Sequence, residues 1–151
     1  MSLPRNPNWR LAAGEMPHDL SFARRHDYPS SAGGITVPVV LEVAGKKVGL
    51  TPSIDTGASH CLFERSYAEA MGLEVEQGMR LAFQTANSRF EAYGHEVVLK
   101  VLGLEFLSMV YFFADSEIRK NVLGRGGWLS RVRLAVVDYD LQIYLSPYDE
   151  E

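Results

Sequence analysis

Cysteine is almost absent: Cys61 is the only one in 151 residues. That excludes an intramolecular disulfide and a cysteine-based zinc site. The histidines (His18, His26, His60 and His95) show no close paired spacing of the metal-ligand kind, so neither a metal nor another cofactor is expected. Basic charge is also short. Fifteen Lys and Arg against nineteen Asp and Glu leave a formal charge of −4, with no Lys/Arg stripe interleaved with aromatics, so a nucleic-acid partner is not expected. No apolar run is long enough to cross a bilayer, and no membrane partner is expected. Trp9, Arg10, Glu15, His18 and Asp19 break any basic-then-apolar leader, which points to a soluble, cytoplasmic chain, although a removed targeting segment would leave no trace.

What is present is a 46% hydrophobic composition over a length that supports one domain with a real core. Residues 1–34 stand apart. They are rich in Pro, Asn, Arg and His and end in Pro29-Ser30-Ser31-Ala32-Gly33-Gly34, which reads as an arm followed by a flexible linker. Leu11-Ala12-Ala13 and Leu20-Ser21-Phe22 are weak candidates for docking on the domain or on a partner.

The domain is expected over 35–148, and it reads as all-β. Ile35 to Val43 and Lys47 to Leu50 flank a turn at Ala44-Gly45-Lys46, a hairpin signal. Pro38 cannot donate to a ladder, so it implies a free edge or a bulge. Cys61-Leu62-Phe63 reads as a short strand and Glu64 to Met71 as a short helix stopped by Gly72. Met79 to Phe83 and the alternation Val97-Leu99-Val101 suggest a long hairpin with a polar tip near Ala86-Asn87-Ser88. Phe106 to Phe113 predicts a buried strand, Asn121-Val122-Leu123-Gly124 a short one, and Trp128 to Val132 a second short helix. Arg133 to Val137 and Leu141 to Leu145 would form a last hairpin around Asp138-Tyr139-Asp140. No internal repeat is visible.

Asp55-Thr56-Gly57-Ala58 carries the sharpest chemical signal. Hydrolysing a peptide with carboxylates needs one group to deprotonate water and another to protonate the leaving nitrogen. Two carboxylates about 3 Å apart do both, because they cannot both ionise and so share a proton. Gly57 is expected to lack a Cβ that would otherwise clash, and Thr56 to send its hydroxyl to the opposite loop. Only one Asp-Thr-Gly occurs. Granted this chemistry, a second Asp55 must come from a homodimer. Ala58 offers no hydroxyl to the ionised pair, so activity is expected closer to neutral pH than in pepsin-like enzymes.

These residues resemble the retropepsin family of aspartic proteases. The resemblance spans Ile35 to Leu145. Val37-Pro38-Val39 is similar to its first strand and Ile54 to Ser59 to its catalytic loop. Ala70-Met71-Gly72-Leu73 follows at the family's distance, Thr85-Ala86-Asn87 falls at its flap, and Asn121 to Arg125 resembles its apolar-apolar-Gly element, followed by Trp128-Leu129. The resemblance implies one lobe of an aspartic protease: a closed or strongly folded sheet with two short helices and an active site shared by a homodimer. It makes Asp55 catalytic, supported by Thr56, Gly57, Ala58 and Gly124. Ser59, Thr85, Ala86, Asn87 and Arg125 would meet an extended peptide, with apolar side chains preferred next to the cut.

The departures are specific. Ser59 stands where retroviral enzymes often carry an acid, and Gly126 where many relatives carry Asp or Asn, so Arg125 is expected to lack its customary carboxylate. The flap tip has no glycine. These departures favour, as a second reading, a dimerisation or peptide-binding module with little or no activity.

The remaining candidates read as structural. Cys61 is expected to be a small buried hydrophobe. His60 and His95 read as surface or satisfied residues, and Met79, Leu81 and Phe83 as core. Asp138 and Asp140 should shape a turn. Gly124-Arg125-Gly126-Gly127 lacks the Lys-Ser/Thr of a phosphate-binding loop.

Overall fold

A computed structural model describes residues 12–31 and 33–149. Strand β1 is Arg24–Asp27, β2 Val39–Val43, β3 Lys46–Leu50, β4 Ser53–Ile54 and β5 Leu62–Phe63. The single α-helix among the described residues, α1, is Arg65–Ala70. Then come β6 Met79–Gln84, β7 Arg89–Val101, β8 Leu104–Phe113, β9 Val122–Leu123, β10 Val132–Val137 and β11 Gln142–Pro147. The larger sheet runs β3-β2-β7-β8-β5-β9-β4, with β6 added to β7. A smaller one runs β1-β11-β10.

Local chemistry explains much of this. β2 starts one residue after Pro38, so the missing N–H falls outside the ladder. Ala44 and Gly45 both take positive φ, 50° and 80°, the two-residue turn whose twist matches antiparallel strands. Gly72, at φ 75°, closes α1. The second expected helix is instead a single 3-10 turn, Leu129–Arg131. That segment must return at once to β10, leaving no room for a second turn of helix.

The apolar run of β8 has a topological cause. Val110 and Phe112 belong to the main core with Val39, Leu41, Phe63, Val97, Leu99, Leu123, Trp128, Ile143 and Leu145. Tyr111 and Phe113 point to the other face, where they pack with Leu62, Ala92 and Val122 in a second cluster. Over residues 110–113 both faces are therefore buried and the apolar stretch is continuous, whereas Leu107, earlier in β8, is exposed. β7 shows the same curl along its length: Ala92 is buried on one face, and Val97, Leu99 and Val101 on the other.

The segment read as arm and linker contains structure. β1 pairs antiparallel with β11, from Arg24↔Leu145 to Asp27↔Gln142. Tyr28 is buried in the main core. Phe22 reaches the same sheet, its ring 6.1 Å from that of Tyr144 and under the Arg133 guanidinium, whereas Leu20 is exposed. Composition hid β1 because three of its four residues are charged or exposed polar groups on an edge. The expectations for residues 1–11 and Ala32 lie outside the described residues.

Candidate active site

Asp55 sits on the loop between β4 and β5. β9 lies between those two strands, parallel to β4 and antiparallel to β5. The loop therefore stands over the end of β9. The Asp55 N–H donates to the Leu123 carbonyl at 2.9 Å, and the Arg125 and Gly126 N–H groups donate to Ala58 and Ser59 at 2.8 and 2.9 Å. Gly124 makes this closeness possible. A Cβ there would lie 2.2 Å from the His60 carbonyl oxygen and 2.8 Å from that of Ala58. Below, Leu129 and Ser130 N–H groups close on Gly124 and Arg125, and the Trp128 ring is fully buried.

Within the loop, Gly57 N–H donates to Asp55 Oδ1 at 2.9 Å, which orients the carboxylate. The other oxygen has no hydrogen-bond partner among the described residues. Thr56 is exposed, and its hydroxyl has none either. Gly57 differs from expectation. Its φ is unexceptional, and an added Cβ would make only ordinary contact, 3.4 Å from Asp55 Oδ1. Nothing within one chain requires glycine at this position.

The carboxylate opens into a cleft of about 510 Å³ lined by Asp55, Gly57, Ala58, Ser59, His60, Leu62, Leu81, Phe83, Thr85 and Lys120. Ser59 and Thr85 thus reach it, whereas Thr56, Ala86, Asn87, Gly124 and Arg125 do not line it. Ala86 and Asn87 form the exposed tip of the β6–β7 hairpin, closed by Thr85 N–H to Ser88 O at 2.8 Å. The Arg125 guanidinium is exposed and without a partner among the described residues. Just below its tip the hairpin is held by three rings: Phe83 to Phe90 at 5.6 Å, and Phe113 to Phe90 and Phe83 at 6.2 and 6.4 Å.

Leu81 and Phe83 amend the sequence reading, and His60 lines the cleft as well. Leu81 and Phe83 form cleft wall while also packing on the second cluster. The His60 ring packs edge-on against Tyr111 at 4.8 Å with one side toward the cleft. Lys120 was missed altogether. Its signal was adjacency: the residue just before Asn121-Val122-Leu123 must lie at the rim if β9 underlies the Asp55 loop. Cys61 is buried, and burial pushes its thiol up to about 11, against a smaller opposing effect of a backbone hydrogen bond from Gly124. Such a thiol is not a nucleophile at neutral pH. Asp138–Asp140 form a 3-10 turn. Among the described residues, no three His, Cys, Asp or Glu side chains gather as a metal site, and no helix is long and apolar enough to cross a membrane.

A sequence profile described as aspartyl protease matches residues 39–126, more than half of the chain and the stretch that holds the loop, hairpin and β9. The chain belongs to the aspartyl protease family. Its fold is retropepsin-like. A retropepsin-like aspartic protease from Rickettsia conorii superposes with a TM-score of 0.62 at 16% identity, covering 82% of this chain and 99% of that one. The retroviral protease-like domain of Ddi1 from Leishmania major gives 0.52 at 17% identity, covering 80% and 100%. No curated protein sequence matches the chain significantly. These likenesses account for the curled sheet and the strand order around the loop of this family member.

Proposed function

We propose that this chain is an aspartic endopeptidase whose active site forms when two copies bring their Asp55 carboxylates together. One observation carries the reading: among the described residues, Asp55 is the only acid lining a cleft whose other side chains are apolar, neutral polar or basic. One carboxylate cannot serve as base and acid in the same step, so the second must come from outside the chain. A two-fold axis through the loops supplies it. Asp55 Oδ2 and the Thr56 hydroxyl, both unpartnered among the described residues, are the groups such an approach would use. Gly57, which nothing in its own chain requires, would give the partner loop room to come close.

In this scheme a water between the two carboxylates loses a proton to the ionised one and attacks the scissile carbonyl. The shared proton then passes to the departing nitrogen. The β6–β7 hairpins, with Thr85 to Asn87 at their tips, close over an extended peptide and bind it partly through backbone hydrogen bonds. Gly124 holds the loop in place from below, and Ala58 and Ser59 form the adjoining wall.

The test is cleavage of an unfolded protein by the purified chain, together with its mass in solution. Asp55→Asn is expected to lower turnover by about 10²–10⁴-fold while leaving the fold intact. Adding excess Asp55→Asn chain should suppress wild-type activity through mixed dimers. Activity carried by a monomer would sink the scheme. The unpartnered Arg125 guanidinium favours a second reading, a peptide-binding module with little turnover. Peptide binding that survives Asp55→Asn, with no cleavage by wild type at any pH, would select it.

A further inference from the structure

We propose that the cleft selects peptides with a carboxylate side chain beside apolar ones, and that Lys120 is the residue that recognises it. The inference deepens the protease reading and rests on the same cleft. Lys120 lines that cleft together with Asp55, Leu62, Leu81 and Phe83. Its position is fixed by its neighbour. Asn121 Oδ1 accepts from the Glu64 N–H at 2.9 Å, its Nδ2 donates to the Glu64 carboxylate, and its carbonyl accepts from Ser53 N–H at 3.1 Å. The backbone at the rim is thereby tied to β4 and to the start of α1, and only the lysine side chain is free to search.

Among the described residues its ammonium has no carboxylate of its own. Lys47 and Lys100 both pair with Glu42, and Lys100 also reaches Glu105. Glu64, bonded to the adjacent residue Asn121, is also paired with Arg119 at 3.4 Å. Lys120 makes no ion pair among the described residues. The other polar side chains lining the cleft are Ser59, His60 and Thr85, and among the described residues its one carboxylate is Asp55 itself. A peptide that fills the cleft strips water from the ammonium. A neutral peptide leaves that charge poorly compensated, whereas Glu or Asp at the right position pairs with it. The flexible four-carbon stem suits a point contact with either acid. The apolar walls take the neighbouring side chains.

The experiment uses short capped peptides built on one apolar cleavage sequence, with Glu or matched Gln scanned through each position around it. Cleavage is measured with wild type, Lys120→Gln and Lys120→Glu. Binding of the same pairs is measured by fluorescence anisotropy on the Asp55→Asn chain, with and without Lys120→Gln. One position should favour Glu over Gln by about fivefold, the upper range for an ion pair partly open to solvent. Lys120→Gln should abolish the preference in both assays, Lys120→Glu should turn it toward Lys, and added salt should narrow it. Equal handling of Glu and Gln at every position, a preference that persists in Lys120→Gln, or no peptide binding at all overturns the inference. Cleavage without acid preference would leave the protease reading standing alone. Acid-selective binding without cleavage would leave the Lys120 assignment standing without it.

Discussion

The Tyr28 hydroxyl donates a hydrogen bond to the Asp138 carboxylate, joining residues 110 positions apart. Tyr28 lies just beyond β1, and Asp138 opens the turn between β10 and β11. The Tyr28 N–H adds a bond to the Leu141 carbonyl at 3.0 Å. The pair clamps the amino-terminal strand onto the last hairpin.

The clamp predicts loss of stability in alkali. Burial, and then the bond to the Asp138 carboxylate, pushes the Tyr28 phenol up from 10.0 to about 12. Between those values the folded chain keeps a proton that the unfolded chain releases. Stability is therefore whole below pH 10 and falls as pH rises through the window to 12. Tyr28→Phe should cost about 1 kcal/mol at neutral pH and flatten the alkaline decline. Denaturant melts at stepped pH check this, and an identical slope in both proteins would refute it.

A chain starting at Ile35 should be markedly less stable than the full one. It loses β1 and the buried Tyr28, and uncovers β11, whose Ile143 and Leu145 are fully buried. The expected loss is about 3 kcal/mol, roughly 10 °C in melting temperature for a domain of this size. An unchanged melting curve would show that the segment only leans on the domain.

Gly124→Ala should be far more harmful than its single methyl suggests. The added carbon would overlap backbone oxygens of His60 and Ala58, which cannot rotate away as a side chain could. We expect a loss of at least ~2 kcal/mol and displacement of the Asp55 loop. Gly57→Ala serves as the contrast: it should leave the stability of the separate chain nearly unchanged and weaken self-association. Calorimetry and sedimentation read the two effects separately.

Cys61 should resist thiol reagents in the folded protein. Its buried Sγ lies 3.5 Å from the Gly126 carbonyl, and its raised thiol holds little thiolate at neutral pH. Labelling should follow global unfolding, with a rate that rises with denaturant. Rapid stoichiometric labelling of native protein would contradict the burial.

Much of this was legible along the chain because the signals are local. The Ala44-Gly45 turn, the β6–β7 hairpin, α1 with its Gly72 stop, and the Asp55 loop each announce themselves within a few residues. Gly124 was legible locally only as the end of a short strand; that the strand runs beneath the loop was what the family resemblance implied. The roles of Leu81 and Phe83 were hidden: an apolar side chain on a hairpin looks the same whether it faces a core or a cleft. β1 was hidden for the opposite reason, because an edge strand of charged residues carries no apolar pattern.

The sequence by itself determined which acid is available, that only one copy of its motif exists per chain, and which segments are extended, because covalent order and side-chain alternation act at short range. Only the tertiary structure decided that Lys120 and His60 stand in the cleft, that Gly124 rather than Gly57 is sterically required within the chain, and that Tyr28 closes the amino-terminal segment onto Asp138. Each of these depends on contacts between residues far apart in sequence, which arise when the sheet curls and buries both faces of β8 over residues 110–113.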